Sequence, residues 1–154
     1  MRRSHLAWSF VVLLWACTAA RAEPASSPQR WVAVGRGADG ATFVDLSSQS
    51  MAGGAARISL IQAIPEGAII AAPYLRGTLT LVCATRMYIA SDLAVGRMDG
   101  SELPAGAPPE DPAPIAELNG AEVLVAMLCN GAPPPAGPVY PSAIAAAKAY
   151  RAAP

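Results

Sequence analysis

The chain has 154 residues, 11 basic and 11 acidic side chains, one histidine and three cysteines. The absence of a basic excess argues against nucleic acid as a partner, because phosphate binding draws on clustered Lys and Arg. The hydrophobic fraction of 53% is inflated by alanine and by the N-terminal segment, so it does not indicate a membrane-spanning protein.

The first 22 residues have the pattern of a secretory signal peptide. Arg2 and Arg3 precede an apolar stretch at residues 6–15, and the A-x-A sequence at residues 20–22 marks a cleavage site. We therefore expect an exported protein, located in the periplasm or at the outer membrane and cell surface.

Cleavage after residue 22 changes the chemistry that remains. It removes His5, the only histidine, and leaves 132 residues, a length suited to one domain that follows a short linker at residues 23–30. Three arginines and no acid leave with the leader, so 8 basic residues face 11 acidic ones and the net charge becomes −3. No later apolar run approaches the roughly 18 residues of a membrane-spanning helix.

A second interpretation of the leader treats residues 14–17 as a lipobox. Cys17 would then be acylated and would become the N-terminus of a membrane-tethered lipoprotein. We expect contact with a membrane only in that case, since a lipid chain adds tethering without changing the fold.

The first half of the domain has the pattern of β-structure. Residues 31–34 and 42–45 flank the turn signal Ala38-Asp39-Gly40, which predicts a hairpin. Residues 47–54 read as a polar bend. Residues 56–63 then alternate between two faces as a partly exposed strand does.

A second hairpin-like block follows the breaks at Pro65, Gly67 and Pro73 and covers residues 75–99. Its first strand, residues 77–83, places Leu79, Leu81 and Cys83 on one face, directed toward the core. Five prolines then make residues 101–114 a surface loop that cannot form a regular hydrogen-bonded ladder.

A helix is predicted to begin after Asn119 as N-cap with Glu122 at the third helical position, and to end at Asn130-Gly131. Residues 123–125 would also suit a strand. The remaining residues, 131–154, form a proline- and alanine-rich tail in which Ser142 could cap a short helix at residues 143–152, marginal on its own.

Candidate catalytic and cofactor motifs are weak. Gly35 to Gly40 matches G-x-G-x-x-G, but no helix opens at the last glycine, so a hairpin turn is the better interpretation. The acidic pair Glu110-Asp111 lies among prolines, where its side chains are solvated. We therefore predict no catalytic residue, no metal site and no cofactor. An enzyme with an unrecognised carboxylate site stays as a third possibility.

Cys83 and Cys129 could be catalytic, metal-binding or bridged. A thiolate nucleophile usually needs a base such as histidine, and zinc needs further ligands of the same kind, but the mature chain has no histidine. In an oxidising compartment we expect a disulfide between them.

The order of four segments resembles the surface-adhesin protein E family of Gram-negative bacteria over residues 31–130. These segments are an opening strand with Trp31, the aromatic strand Phe43-Val44-Asp45, the sequence Cys83-Ala84-Thr85-Arg86, and a terminal helix that ends in Cys129. Val82 departs from the acid that the family tends to have before the first cysteine, and the tryptophan expected near residues 114–115 is missing.

The resemblance implies an α+β fold: an antiparallel sheet of about five to six strands, a C-terminal helix packed on it, and a disulfide that joins the two. It also implies a non-enzymatic surface adhesin that attaches to host matrix proteins. An adhesin of this kind could bind through an exposed strand edge or through a basic patch. The candidate patch residues are Arg57, Arg76, Arg86 and Arg97.

An alternative function is a periplasmic or envelope protein-interaction module that has no host target. Both functions predict a protein partner and no nucleic acid. They differ in the compartment where that partner is found.

Overall fold

The computed structural model describes residues 27–106 and 111–153, which form one antiparallel sheet with a helix on each face. The predicted leader at residues 1–22, which includes Cys17, lies outside the described residues. The strands follow one another in the sheet in the order β1 to β6, and the short β7 also pairs with β5. Their bounds are β1 Trp31–Gly37, β2 Gly40–Ala52, β3 Ala55–Ala63, β4 Tyr74–Val82, β5 Met87–Gly96, β6 Glu102–Pro104 and β7 Ala113–Pro114.

The two helices come last in the chain. A short 3₁₀ turn, Ile115–Glu117, leads into α1, Ala121–Asn130, and α2 covers Ala143–Ala152. The α+β architecture with an antiparallel sheet and a C-terminal helix is therefore confirmed. The helical interpretation of residues 123–125 is also correct, and Gly131 ends α1 in the left-handed conformation at φ 70°.

The first core lies between the sheet and α1. Alternate residues of the strands point to this face, and the side chains of α1 and the 3₁₀ turn cover them. Its buried members include Val32, Val34, Val44, Ile58, Leu79, Leu81, Ile115, Leu124, Met127 and Leu128.

The second core lies on the opposite face, under α2. Its large side chains come from the strands, namely Trp31, Phe43, Ile61 and Tyr74, and the helix contributes buried alanines, Ala143, Ala146 and Ala147. The predicted cap is present: Ser142 Oγ accepts a hydrogen bond from the Ala145 N–H (3.2 Å). Packing on the aromatic side chains stabilises a helix that would be marginal in isolation. Helix α2, which follows residue 130, thus packs on the same sheet as α1 and covers its opposite face.

A disulfide joins Cys83, directly after β4, to Cys129 in α1, as predicted. The Cα atoms are 5.5 Å apart and the two residues are 46 positions apart in sequence. The bond therefore ties α1 to the sheet. Disulfides are typical of an oxidising compartment.

The sequence predicts two irregular segments, and both predictions are wrong in part because each segment contains strand residues. Residues 47–52, expected as a bend, continue β2 through a bulge between Asp45 and Ser50. Ser48 makes this possible, because its Oγ donates to the Asp45 carbonyl (2.7 Å) and accepts from the Ser59 N–H (2.8 Å) of the neighbouring strand.

The proline-rich segment is likewise not a loop throughout. Its two ends form β6 and β7, which pair with opposite ends of β5. Proline is tolerated there because an edge strand does not need every N–H for pairing.

The predicted N-cap at Asn119 is wrong. The cap position is Gly120, which has φ 84° and makes no side-chain cap hydrogen bond. A Cβ at Gly120 would lie 2.5 Å from the Val34 carbonyl oxygen, so only glycine allows α1 to begin this close to β1. The Asn119 side chain instead packs beside Gly37.

Candidate binding surface

The connection between β3 and β4, residues 65–72, forms a closed loop at one end of the sheet. The Ile64 N–H donates to the Pro73 carbonyl (3.0 Å), which brings the two ends of the loop together. Gly67 takes the left-handed conformation at φ 81° and allows the sharp turn within the loop. Such compact surface loops with close ends are frequently functional.

Arg151 of α2 is distant from this loop in sequence but forms hydrogen bonds at the base of the loop. Its Nε donates to the Ile64 carbonyl (2.9 Å), and its NH2 group donates to the Ala72 carbonyl (2.7 Å). One guanidinium therefore bridges the residues at both ends of the loop, so α2 holds the loop in place as well as covering the second core.

Replacing Arg151 by methionine is expected to loosen the loop. The two carbonyls lose charge-assisted hydrogen bonds, which lowers the free energy of unfolding by about 2 kcal/mol and speeds amide hydrogen exchange in residues 65–72. Denaturant unfolding and exchange measured by mass spectrometry check this. Lys148→Met, at an exposed position of the same helix, is the control. Equal exchange in the two variants would contradict the bridging role.

The loop presents apolar side chains to solvent. Ile69 is fully exposed, with a relative accessibility of 105%, and Ile70 is 51% exposed. Ala68 and Ala71 beside them are exposed as well. Single exposed apolar residues are ordinary, whereas this loop exposes four apolar residues that are consecutive in sequence, 68–71.

An open groove of about 310 Å³ runs between this loop and the turn that joins β1 to β2. Most of its lining is apolar, and Asp39 at the turn is the charged residue in it. Gln62 and Leu75 form its floor on the face of the sheet that α1 partly covers. The Gln62 Oε1 accepts a hydrogen bond from Thr42 Oγ1 (3.0 Å), which orients the amide.

The basic side chains at this end lie on the opposite face. Arg36 pairs across the strands with Ala41, which belongs to the core under α2, and its guanidinium lies 5.6 Å from the centroid of the Tyr150 ring. A second cavity on that side, about 300 Å³ in volume, is lined by Arg36, Glu66 and Arg151 among other residues. Neither Arg36 nor Arg151 is among the residues that line the apolar groove.

The four arginines of the expected basic patch occupy separate places. Arg86 lies in the turn before β5 and Arg97 follows its end. Because β5 has ten residues, these two are on the order of 30 Å apart. Arg57 and Arg76 share the α2 side of the sheet but have different carboxylate partners: Arg57 contacts Asp92 (3.3 Å), and Arg76 contacts Glu102 (3.1 Å). The structure does not bring the four together.

The expected strand-edge surface is covered in part among the described residues. At β1, Trp31 exchanges two backbone hydrogen bonds with Tyr140 (3.0 and 2.9 Å), and Gly120 packs against Val34. At the other edge, β6 and β7 pair with the two ends of β5 and leave residues 89–92 between them. Covering of this kind protects sheet edges from pairing with other chains.

A partly buried polar cluster links β4 to β6. The Tyr74 hydroxyl donates to Glu102 Oε1 (3.1 Å), and the Arg76 guanidinium donates to both oxygens of the same carboxylate (3.2 and 3.1 Å). Burial, with the charge of Glu102 and the hydrogen bond to it, raises the pKa of Tyr74 to about 12. The phenol therefore stays protonated well into the alkaline range and acts as a hydrogen-bond donor there.

The described residues give no indication of a metal centre. Within residues 27–106 and 111–153, His, Cys, Asp and Glu side chains do not form groups of three or more that could hold a metal ion. The helices of the same residues are too short or too polar to cross a membrane.

No family model, curated protein or solved structure matches this chain. The structure itself therefore carries the functional argument. The loop at residues 65–72 and the adjoining groove differ from an ordinary polar surface because they expose neighbouring apolar side chains to solvent.

Sequence reasoning missed this surface, because Pro65, Gly67 and Pro73 read only as breaks between strands. A signal was nevertheless present. Five apolar residues, 68–72, stand between a glycine and a proline, too few for a helix and too closely bounded for a paired strand, which together favour an apolar loop.

Proposed function

We propose that this chain is an exported, non-enzymatic protein-binding domain that attaches to its partner through the loop at residues 65–72. The single observation that carries the proposal is the exposure of Ile69 and Ile70 on a loop whose base is fastened by Arg151. A fastened loop loses little conformational freedom on binding, so more of the energy of burying its side chains becomes affinity.

Export is supported by two independent features. The disulfide between Cys83 and Cys129 suits a non-reducing compartment, and the sequence of residues 1–22 has the pattern of a cleavable leader. The proposed location is the periplasm or the cell surface, with a membrane tether if Cys17 is acylated.

The proposed partner is a host matrix protein, which would make the chain a surface adhesin. Support for this partner class comes from the resemblance of residues 31–130 to the protein E family. A partner within the cell envelope is the second candidate, and the same loop serves either one.

Replacing Ile69 and Ile70 together by serine is expected to weaken partner binding at least about 100-fold, because burial of each isoleucine contributes roughly 1.5–3 kcal/mol. Stability should change by less than about 0.5 kcal/mol, since the side chains face solvent. The assay measures binding of the purified exported protein to immobilised matrix proteins and, separately, to solubilised envelope proteins.

Met51→Ser is the matched control, because Met51 is 55% exposed near the opposite end of β2 from the groove. Binding to matrix proteins that the isoleucine variant loses and the control keeps supports the adhesin. The same pattern with envelope proteins alone supports the second candidate. If the wild-type protein binds neither set, the proposed function is wrong.

A further inference from the structure

The residues that line the groove beside the loop indicate which chemical groups of a partner protein can bind there. Its walls are the apolar side chains of Ile64, Ile69 and Ile70, and its floor includes Leu75. An aliphatic or aromatic side chain that enters it exchanges water contact for contact with apolar carbon on several sides. The groove therefore suits one apolar anchor residue.

Asp39 gives the groove a charge preference. It is exposed in the two-residue turn between β1 and β2, at the rim of the apolar lining. The neighbouring cations, Arg36 and Arg151, line the other cavity, on the α2 side. A ligand in the groove thus meets one carboxylate and no cation among the lining residues, so a basic group beside the anchor is favoured.

A second copy of this chain does not suit the surface. The loop exposes two isoleucines and two alanines, a small surface compared with the roughly 800 Å² that a stable dimer buries on each partner. The charged group at the groove is also acidic, so two copies that meet there would bring like charges together.

An anionic lipid surface also does not match the distribution of charge around the apolar groove. Peripheral proteins bind such membranes with basic residues around the apolar group that inserts. Here the basic residues are on the α2 side and a carboxylate stands beside the apolar groove. The charge distribution favours a basic partner over a negatively charged one.

We infer that the groove binds an extended segment of the partner protein in which an aliphatic or aromatic residue is adjacent to lysine or arginine. The apolar side chain fills the space between Ile69, Ile70 and Leu75, and the cation lies beside the Asp39 carboxylate. This inference rests on the proposed function and adds the chemistry of the recognised segment.

The test pans a phage-displayed library of random dodecapeptides against the exported protein and measures the enriched peptides, synthesised singly, by fluorescence anisotropy. We expect enrichment of an aliphatic or aromatic residue next to Lys or Arg. Ile70→Ser should weaken these peptides about tenfold or more. Asp39→Asn keeps a turn-forming residue and should weaken them roughly twofold to fivefold.

Salt separates the two contributions. Raising the ionic strength should weaken binding to the wild-type protein and leave the Asp39→Asn variant nearly unchanged, because screening acts on the charge pair alone. Met51→Ser again serves as the control and should bind as the wild type does.

Several results would overturn the inference: enrichment of acidic peptides, no enrichment, or binding that Ile70→Ser and Asp39→Asn leave intact. Co-sedimentation with vesicles of phosphatidylethanolamine and phosphatidylglycerol that Ile70→Ser abolishes would overturn it in favour of lipid. If the double isoleucine variant loses its protein partner while Asp39→Asn and salt have no effect, the inference fails and the proposed function stands.

Discussion

Replacement of both Cys83 and Cys129 by alanine is expected to lower the free energy of unfolding by about 4 kcal/mol. The disulfide closes a span of 46 positions, and without it the unfolded chain gains the corresponding conformational freedom. Because small domains are stable by only about 5–15 kcal/mol, the variant should lose much of its margin.

Urea unfolding followed by circular dichroism measures this change. Reduced wild-type protein is the control and should unfold at the same urea concentration as the alanine variant, since both lack the covalent link. A difference below about 1 kcal/mol between the free energies of unfolding of the oxidised protein and the variant would contradict the stabilising role of the disulfide. In that case packing of α1 on the first core would be sufficient to hold the helix.

Alkaline pH is expected to destabilise the protein through Tyr74. Its pKa is about 12 in the folded state, against 10 for the free side chain. Stability from the protonated phenol is therefore fully present below pH 10 and is lost as the pH rises through 12. The complete loss is about 3 kcal/mol.

The Tyr74→Phe variant isolates this effect, because the ring remains and the ionisable hydroxyl does not. Unfolding free energies of both proteins are measured from pH 9 to pH 12, over which wild type should lose about 2 kcal/mol more than the variant. At neutral pH the variant should be less stable by about 1 kcal/mol, for the lost hydrogen bond to Glu102. Parallel pH profiles of the two proteins would contradict the raised pKa.

The arrangement on the α1 side could be predicted because its signals are local. Apolar alternation around Leu79 and Leu81 identifies a strand face, and the absence of a histidine partner for Cys83 and Cys129 leaves pairing between them. Gly131 after a helical apolar pattern marks the end of α1. The strand and helix signals are contained in a few residues each, and the cysteine signal needs only the residue composition of the mature sequence. The fold agrees with all of them.

The α2 side was harder to predict because its helix contributes small side chains. Ala146 and Ala147 give no strong amphipathic signal, yet their size allows the helix backbone to approach Trp31 and Phe43 closely. The bridge from Arg151 to the loop joins residues that are 79 and 87 positions apart. No local pattern reports a contact at that distance.

Errors in the predicted elements have a common physical origin. Serine-rich residues 47–52 are strand because β3 lies beside them, and Gly120 replaces Asn119 as the cap because β1 is too near for a side chain. In each case tertiary contact outweighs local preference. The resemblance to protein E, with the adhesin function it implies, stays a prediction, whereas the four arginines of the expected basic patch lie in separate places on the sheet.

Trp31 has a practical consequence of its own. It is buried beneath α2, and its indole N–H donates to Gln29 Oε1 (3.0 Å). The other two tryptophans, Trp8 and Trp15, lie within the predicted leader. If cleavage after residue 22 occurs as predicted, the tryptophan fluorescence of the remaining chain originates from this one ring. Detachment of α2 hydrates that ring and shifts its emission to the red, so the protein carries its own optical reporter for the helix that fastens the isoleucine loop.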